Sequence, residues 1–174
     1  MSRILILETA PRTLRIIERC LGEMGYTLIP VGEKDRFKLE IRARQPSLIL
    51  ACADVHGGSG LELVRDVYPE CTTPVPVVVW SSTHTLSALK DIVPIELLIG
   101  GFLSSPLDPG ELVGTVLSLC APPDLAAASR ISADLRAEYE AHGLRLEPPE
   151  DITSLEDVPF ARVLWAVDHN DWTG

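Results

Sequence analysis

Aromatic side chains make up only 5% of the 174 residues, three each of Phe, Trp and Tyr. An interior must therefore be built from Leu, Ile, Val and Ala, and at 46% hydrophobic residues the chain has enough of them to fold around one core. Cysteine is sparse and scattered: Cys20, Cys52, Cys71 and Cys120 form no C-x-x-C pair, which removes the dithiol and zinc-ribbon patterns and leaves four reduced thiols that behave as small hydrophobes. Long apolar runs are missing as well. The first one, Ile4 to Leu7, is too short for a signal-peptide core or a membrane span, so a cytoplasmic protein with no membrane contact is expected. Basic charge is in deficit: 15 Lys and Arg face 25 Asp and Glu, a net charge of -10. A duplex phosphate backbone calls for a clustered basic face, so DNA is not an expected partner of this chain alone.

What is present is an alternation of short apolar runs with longer amphipathic stretches, the pattern of a parallel sheet covered by helices on both faces. Five strands are predicted at Ile4 to Leu7, Thr27 to Val31, Leu48 to Cys52, Val75 to Trp80 and Leu97 to Leu103. Helices are predicted over Pro11 to Met24, Glu33 to Arg44, Leu61 to Val67, Thr85 to Val93 and Pro109 to Cys120, with proline opening the first and Gly25 ending it. Pro122-Pro123 and the change of composition that follows mark a boundary, giving a domain over residues 1–120 and an acidic, partly helical extension over 121–174 with a further helix at Ile131 to Ala141. The extension holds 11 acidic residues against 4 basic ones.

A doubly wound sheet binds its ligands outside the carboxyl ends of its strands. Those ends read Glu8-Thr9, Cys52 to Gly60, Ser81-Ser82 and Ser104-Ser105-Pro106. The order of elements, the Gly60-Leu61-Glu62-Leu63 helix start, the Ser81-Ser82 step and the Ser105-Pro106 step together resemble bacterial response-regulator receiver domains over about residues 2–120. The resemblance implies a flavodoxin-like α/β fold, a five-stranded parallel sheet in the order 2-1-3-4-5. It also implies a two-component signalling role. In that family two adjacent acids after the first strand hold magnesium, an aspartate ending the third strand takes the phosphoryl group, a Thr or Ser ends the fourth, and a Lys precedes proline after the fifth.

Carried onto this sequence, the acid pair becomes Glu8-Thr9, with one carboxylate where a hard divalent ion wants several oxygen charges. Eight residues back from Gly60 the acceptor position falls on Cys52, whose thiol cannot form an aspartyl phosphate, and the lysine position becomes Ser105. Ser81 keeps the switch hydroxyl, and Phe102 stands at the family's switch aromatic, where it can also be a strand residue that simply packs. Sliding the register by two residues would put the acceptor on Asp54 instead. The expectation is a degenerate pseudo-receiver: no enzyme, no cofactor, no metal, and a protein partner, which could be a second copy meeting the face of helix 4, strand 5 and helix 5.

Other chemistries can be drawn. Cys52 could be a redox-sensing thiol, since a strand end near a helix N-terminus can lower a thiol pKa, although Glu8 would raise it. Asp54, His56 and Glu8 could converge on a metal. The His56 to Gly60 loop lacks the Lys-Ser/Thr ending of a phosphate-binding loop, and Ser59 or Ser81 with His56 or His84 lack a nucleophile elbow. The last segment, Phe160 to Val167 followed by Asp168 to Gly174, is similar to the first helix and turn of the factor-for-inversion-stimulation (Fis) type helix-turn-helix, without the recognition helix. That makes a transcriptional regulator, or part of one, the alternative function. Phe160, Trp165 and Trp172 are otherwise candidate docking residues, because tryptophan concentrates at interfaces.

Overall fold

The computed structural model describes residues 2–141. Five parallel strands, β1 (Arg3–Leu7), β2 (Thr27–Val31), β3 (Leu48–Cys52), β4 (Val77–Trp80) and β5 (Ile99–Leu103), form one sheet in the order β2-β1-β3-β4-β5. This is the order expected from the sequence. Every residue of β3 and β4 is buried, as is all of β1 after Arg3, because helices cover both faces of the sheet. The covering helices are α1 (Pro11–Ile17), α2 (Lys34–Arg44), α3 (Gly60–Val67), α4 (Leu86–Ile92), α5 (Pro109–Leu119) and α6 (Leu125–Ala141). Among the described residues no helix is long and apolar enough to cross a membrane.

Several boundaries differ from expectation for local reasons. The first helix is not uniform to Met24: after Ile17 the backbone widens into a π-turn over Glu18–Gly22, and Gly25, at φ +84°, ends it. β4 starts at Val77 instead of Val75, since Pro76 has no N–H to give to a ladder and offers only its carbonyl, to Ile49. β5 starts at Ile99 instead of Leu97, and its register to β4 slips between Val77 and Val78, so that Ile99 and Gly101 face consecutive partners. Gly100 and Gly101 let α5 lie close there: added Cβ atoms would meet Leu119 at 2.6 Å and Thr115 at 2.8 Å.

The final helix begins six residues before the expected Ile131. Asp124 caps it, its Oδ1 accepting from Ala127 N–H at 2.9 Å, and the alanines that follow are the strongest helix formers. Ala127, Ala128 and Ser132 of α6 are buried, Ile131 and Leu135 lie against the core, and Asp124 N–H donates to the Met24 carbonyl. The segment after Cys120 thus begins by packing on the sheet domain. Phe160, Trp165 and Trp172, and with them the helix-turn-helix resemblance, lie outside the described residues.

One close approach sets the loop after β3. A Cβ on Gly60 would stand 2.1 Å from the Cys52 carbonyl oxygen, a backbone atom that cannot step aside. Gly60→Ala is therefore expected to destabilise the fold by about 3 kcal/mol through overpacking, read as a lowered urea midpoint with an unchanged slope.

Candidate functional site

The carboxyl ends of β1, β3, β4 and β5 surround a cavity of about 240 Å³ lined by Glu8, Thr9, Ala10, Thr13, Cys52, Asp54, Val55, His56, Trp80, Ser82 and Ser105. Four of the five expected pocket positions, Glu8, Thr9, Cys52 and Ser105, are on its wall, while Ser81 is buried beside it at the end of β4. Phe102, one element over, pairs with Val79 and packs half-buried against the core. A larger groove of about 460 Å³ lies at the opposite ends of the strands, between the Tyr68–Pro74 stretch and Ile95–Leu98, away from these groups.

Each wall residue has a local reason for its place. Glu8 follows β1 and is only 7% exposed; its Oε1 accepts from the N–H groups of Thr9 and Ala10 at 2.7 and 2.8 Å, satisfying amides just ahead of the proline that opens α1. The Cys52 thiol ends β3 and lines the cavity beside Glu8. Burial, opposed by a backbone hydrogen bond from Asp54 and reinforced by the Glu8 and Asp54 charges, pushes this thiol up to about 12. Ser105 is exposed and precedes Pro106 through a cis peptide bond. The turn that carries it is held by Ser104, whose N–H and Oγ both donate to the Glu111 carboxylate at 3.2 Å, and by Asp108, which caps α5 at Glu111 N–H.

Asp54 carries the densest polar contacts of the site. Its Oδ1 accepts from Ser81 Oγ at 2.7 Å and from Thr83 Oγ1 at 2.6 Å; its Oδ2 accepts from Ser82 Oγ at 2.7 Å and from Ser82 N–H. Partial burial pushes this carboxyl up, but the hydrogen bonds from Thr83, Ser81 and Ser82 outweigh it and hold the group well below the usual carboxylate range. Asp54 is therefore a permanent anion at any physiological pH. Ser81 Oγ in turn accepts from the N–H groups of Thr83 and His84 at 3.1 and 3.0 Å. His84 Nδ1 lies 2.9 Å from Thr83 Oγ1 and 3.2 Å from Ser81 Oγ.

His56 extends the rim. It adopts a left-handed backbone at φ +55°, followed by Gly57 and Gly58 also at positive φ, and its Nε2 hydrogen-bonds with the Gly32 carbonyl across the mouth of the cavity.

Three of the other chemistries drawn from the sequence find little support in this geometry. Asp54, His56 and Glu8 do not converge: among the described residues no group of three or more His, Cys, Asp or Glu could hold a metal ion. A redox role for Cys52 would use a thiolate, which burial beside Glu8 disfavours. Ser81 does meet His84, but its proton is given to Asp54 and its oxygen already accepts two N–H bonds, which leaves no lone pair poised for attack. Sequence reasoning underrated Asp54 as a loop residue. The unbroken run Ser81-Ser82-Thr83-His84 was the available signal, because so many short donors in succession require an acceptor on a neighbouring strand end.

Sheet order, helix placement and the cavity at the strand ends are those of the receiver fold. No family model matches the chain. Its sequence is 27% identical over 155 residues to the KDP operon transcriptional regulatory protein KdpE of Escherichia coli (strain K12), covering 82% of this chain and 67% of that protein. Its fold is similar to a putative response regulator from Chloroflexus aurantiacus, with a TM-score of 0.56 at 20% identity over 68% of this chain and 96% of that one. It is similar to the same degree, a TM-score of 0.56 at 18% identity over 68% and 96%, to the receiver domain of a Pseudomonas aeruginosa sensor histidine kinase solved with a magnesium ion coordinated in its active-site cleft.

The raised thiol pKa has a direct consequence for stability. A protonated Cys52 is favoured by the fold, so its contribution is fully present below the ordinary thiol value of 9.0 and is lost as pH rises through 9 toward about 12. Between pH 8.5 and pH 11 the urea midpoint of the native chain is expected to fall further than that of Cys52→Ala, measured under reducing conditions.

Proposed function

We propose that this chain is a phosphorylation-independent receiver, a cytoplasmic module that signals by binding another protein and catalyses nothing. The observation that carries the reading is the state of the two carboxylates nearest the strand ends. Glu8 gives one oxygen to its own backbone, and Asp54 is filled by three hydroxyls and an amide. Together they leave few unengaged oxygens for a divalent ion, which needs a site rich in them. The position that would take a phosphoryl group is a buried neutral thiol, and Thr9 and Ser105 supply neither the second acid nor the cation that phosphoryl oxygens require. The magnesium described for the histidine-kinase receiver is thus not carried over to this chain.

A surface for the partner is available around α4. Leu86 and Ile92 on the helix, and Ile95 and Leu98 between it and β5, are exposed, Ile95 at 96%. Large aliphatic groups left in water on one element and the loop after it favour a protein surface as their cover. The similarity to KdpE supports a second reading, a receiver that belongs to a transcriptional regulator; DNA binding would then rest on sequence outside residues 2–141, and the Phe160 to Gly174 segment is its candidate start.

Acetyl phosphate with magnesium is expected to add no phosphoryl group to the intact chain by mass spectrometry, and Cys52→Asp alone is expected not to restore labelling because Thr9 and Ser105 remain. Stoichiometric labelling of the native protein, mapped to Asp54 or anywhere else, overturns the reading.

A further inference from the structure

We propose that Asp54 is an internal substitute for a transferred phosphoryl group: it ties the end of β4 and the loop leading into α4 to the end of β3, and so holds the α4 face permanently in one arrangement. The inference deepens the phosphorylation-independent reading and rests on it. A phosphoryl group on a strand end would bring to this cavity a fixed negative charge and several acceptor oxygens. The chain supplies both from its own side chain. Its two carboxylate oxygens gather four donors, Ser81 Oγ, Thr83 Oγ1, Ser82 Oγ and Ser82 N–H, all from the β4–α4 loop.

The tie continues beyond the carboxylate. Held by Asp54, Ser81 Oγ accepts from Thr83 N–H and His84 N–H, which shapes the turn. Thr85 then caps α4, its Oγ1 accepting from Ala88 N–H at 3.2 Å. From Asp54 to the first turn of α4 there is no residue without a hydrogen bond in this chain of contacts, and Leu86, exposed, is the first residue of the helix. At its other side Asp54 is fixed by β3: Ala53 N–H donates to the Trp80 carbonyl at 2.8 Å, and Gly60 N–H donates to the Ala53 carbonyl at 3.2 Å. A carboxylate anchored beside β3 and saturated by one loop acts on that loop. Asp54 is in this sense a positioning residue.

Hydrogen exchange of the full chain, followed by mass spectrometry with no phosphate donor present, tests the tie. Asp54→Ala is expected to speed exchange of the amides from 82 to 89 about tenfold, since hydrogen bonds to a charged acceptor are lost, while peptides from β1 and β3 keep native rates. Asp54→Asn keeps the shape and one oxygen acceptor but loses the charge, and should give an intermediate acceleration; it also decides the matter if the alanine variant fails to fold. Ser81→Ala alone should accelerate the same amides, and combined with Asp54→Ala should add little, because the two act through one bond network. Rates over 82 to 89 within twofold of native in both Asp54 variants, or strictly additive effects of Asp54→Ala and Ser81→Ala, overturn the proposal. Such a result would leave the phosphorylation-independent reading intact, whereas acetyl phosphate labelling would end that reading without altering the exchange rates.

Discussion

A parallel sheet buried on both faces allows polar groups only at its rim, and every carboxylate that reaches the rim must find donors there. In this chain the rim at the strand carboxyl ends holds two such carboxylates, Glu8 and Asp54, and no lysine or arginine among its wall residues. Without a Lys or Arg to pair with, each is satisfied by N–H and O–H groups: backbone amides for Glu8, a run of hydroxyls and one amide for Asp54. The loops that provide those donors take their shapes from this requirement. The position of α1's first turn, the turn at Ser81 to His84 and the start of α4 are consequences of it.

Cys52 fits the same constraint from the other direction. An ionised group at this depth, next to Glu8 and two residues from Asp54, would add a third negative charge to a pocket that has none to oppose it. A thiol avoids the penalty by staying neutral. The tight approach of Gly60 to the Cys52 carbonyl fixes the backbone on which this arrangement rests, so the shape of the site is set by β3 and its following loop before any side chain is considered.

The sheet was readable from sequence because each strand is a short apolar run with its own bounding turn; Thr27–Val31 and Leu48–Cys52 fall where the pattern puts them. Boundaries failed where a backbone donor, not hydrophobicity, decides the end of an element, as at Pro76. The helix at Leu125 was hidden by the opposite error, an alanine run after two prolines taken for a lead-in although Asp124 is its cap. At the site, identities at single positions were legible, since Thr9, Cys52 and Ser105 can be read off by spacing. What Asp54 touches was not, because its four donors lie 27 to 29 residues away and meet it only once β3 and β4 are neighbours.

That difference bears on how such a domain can lose a chemistry and keep a fold. Without an acceptor on the β3 side, Ser81, the one buried donor of the β4–α4 loop, would be left unmet at a cost of about 1 to 3 kcal/mol, while Ser82 and Thr83 face solvent. Asp54 meets those donors from within the chain, and its hydrogen bonds keep it ionised at every physiological pH. On the proposed reading, stability of the pocket and placement of the loop then have one cause. If a loop held by a charge that never leaves has no second position to switch to, regulation on the proposed reading falls to whatever covers Leu86, Ile92, Ile95 and Leu98.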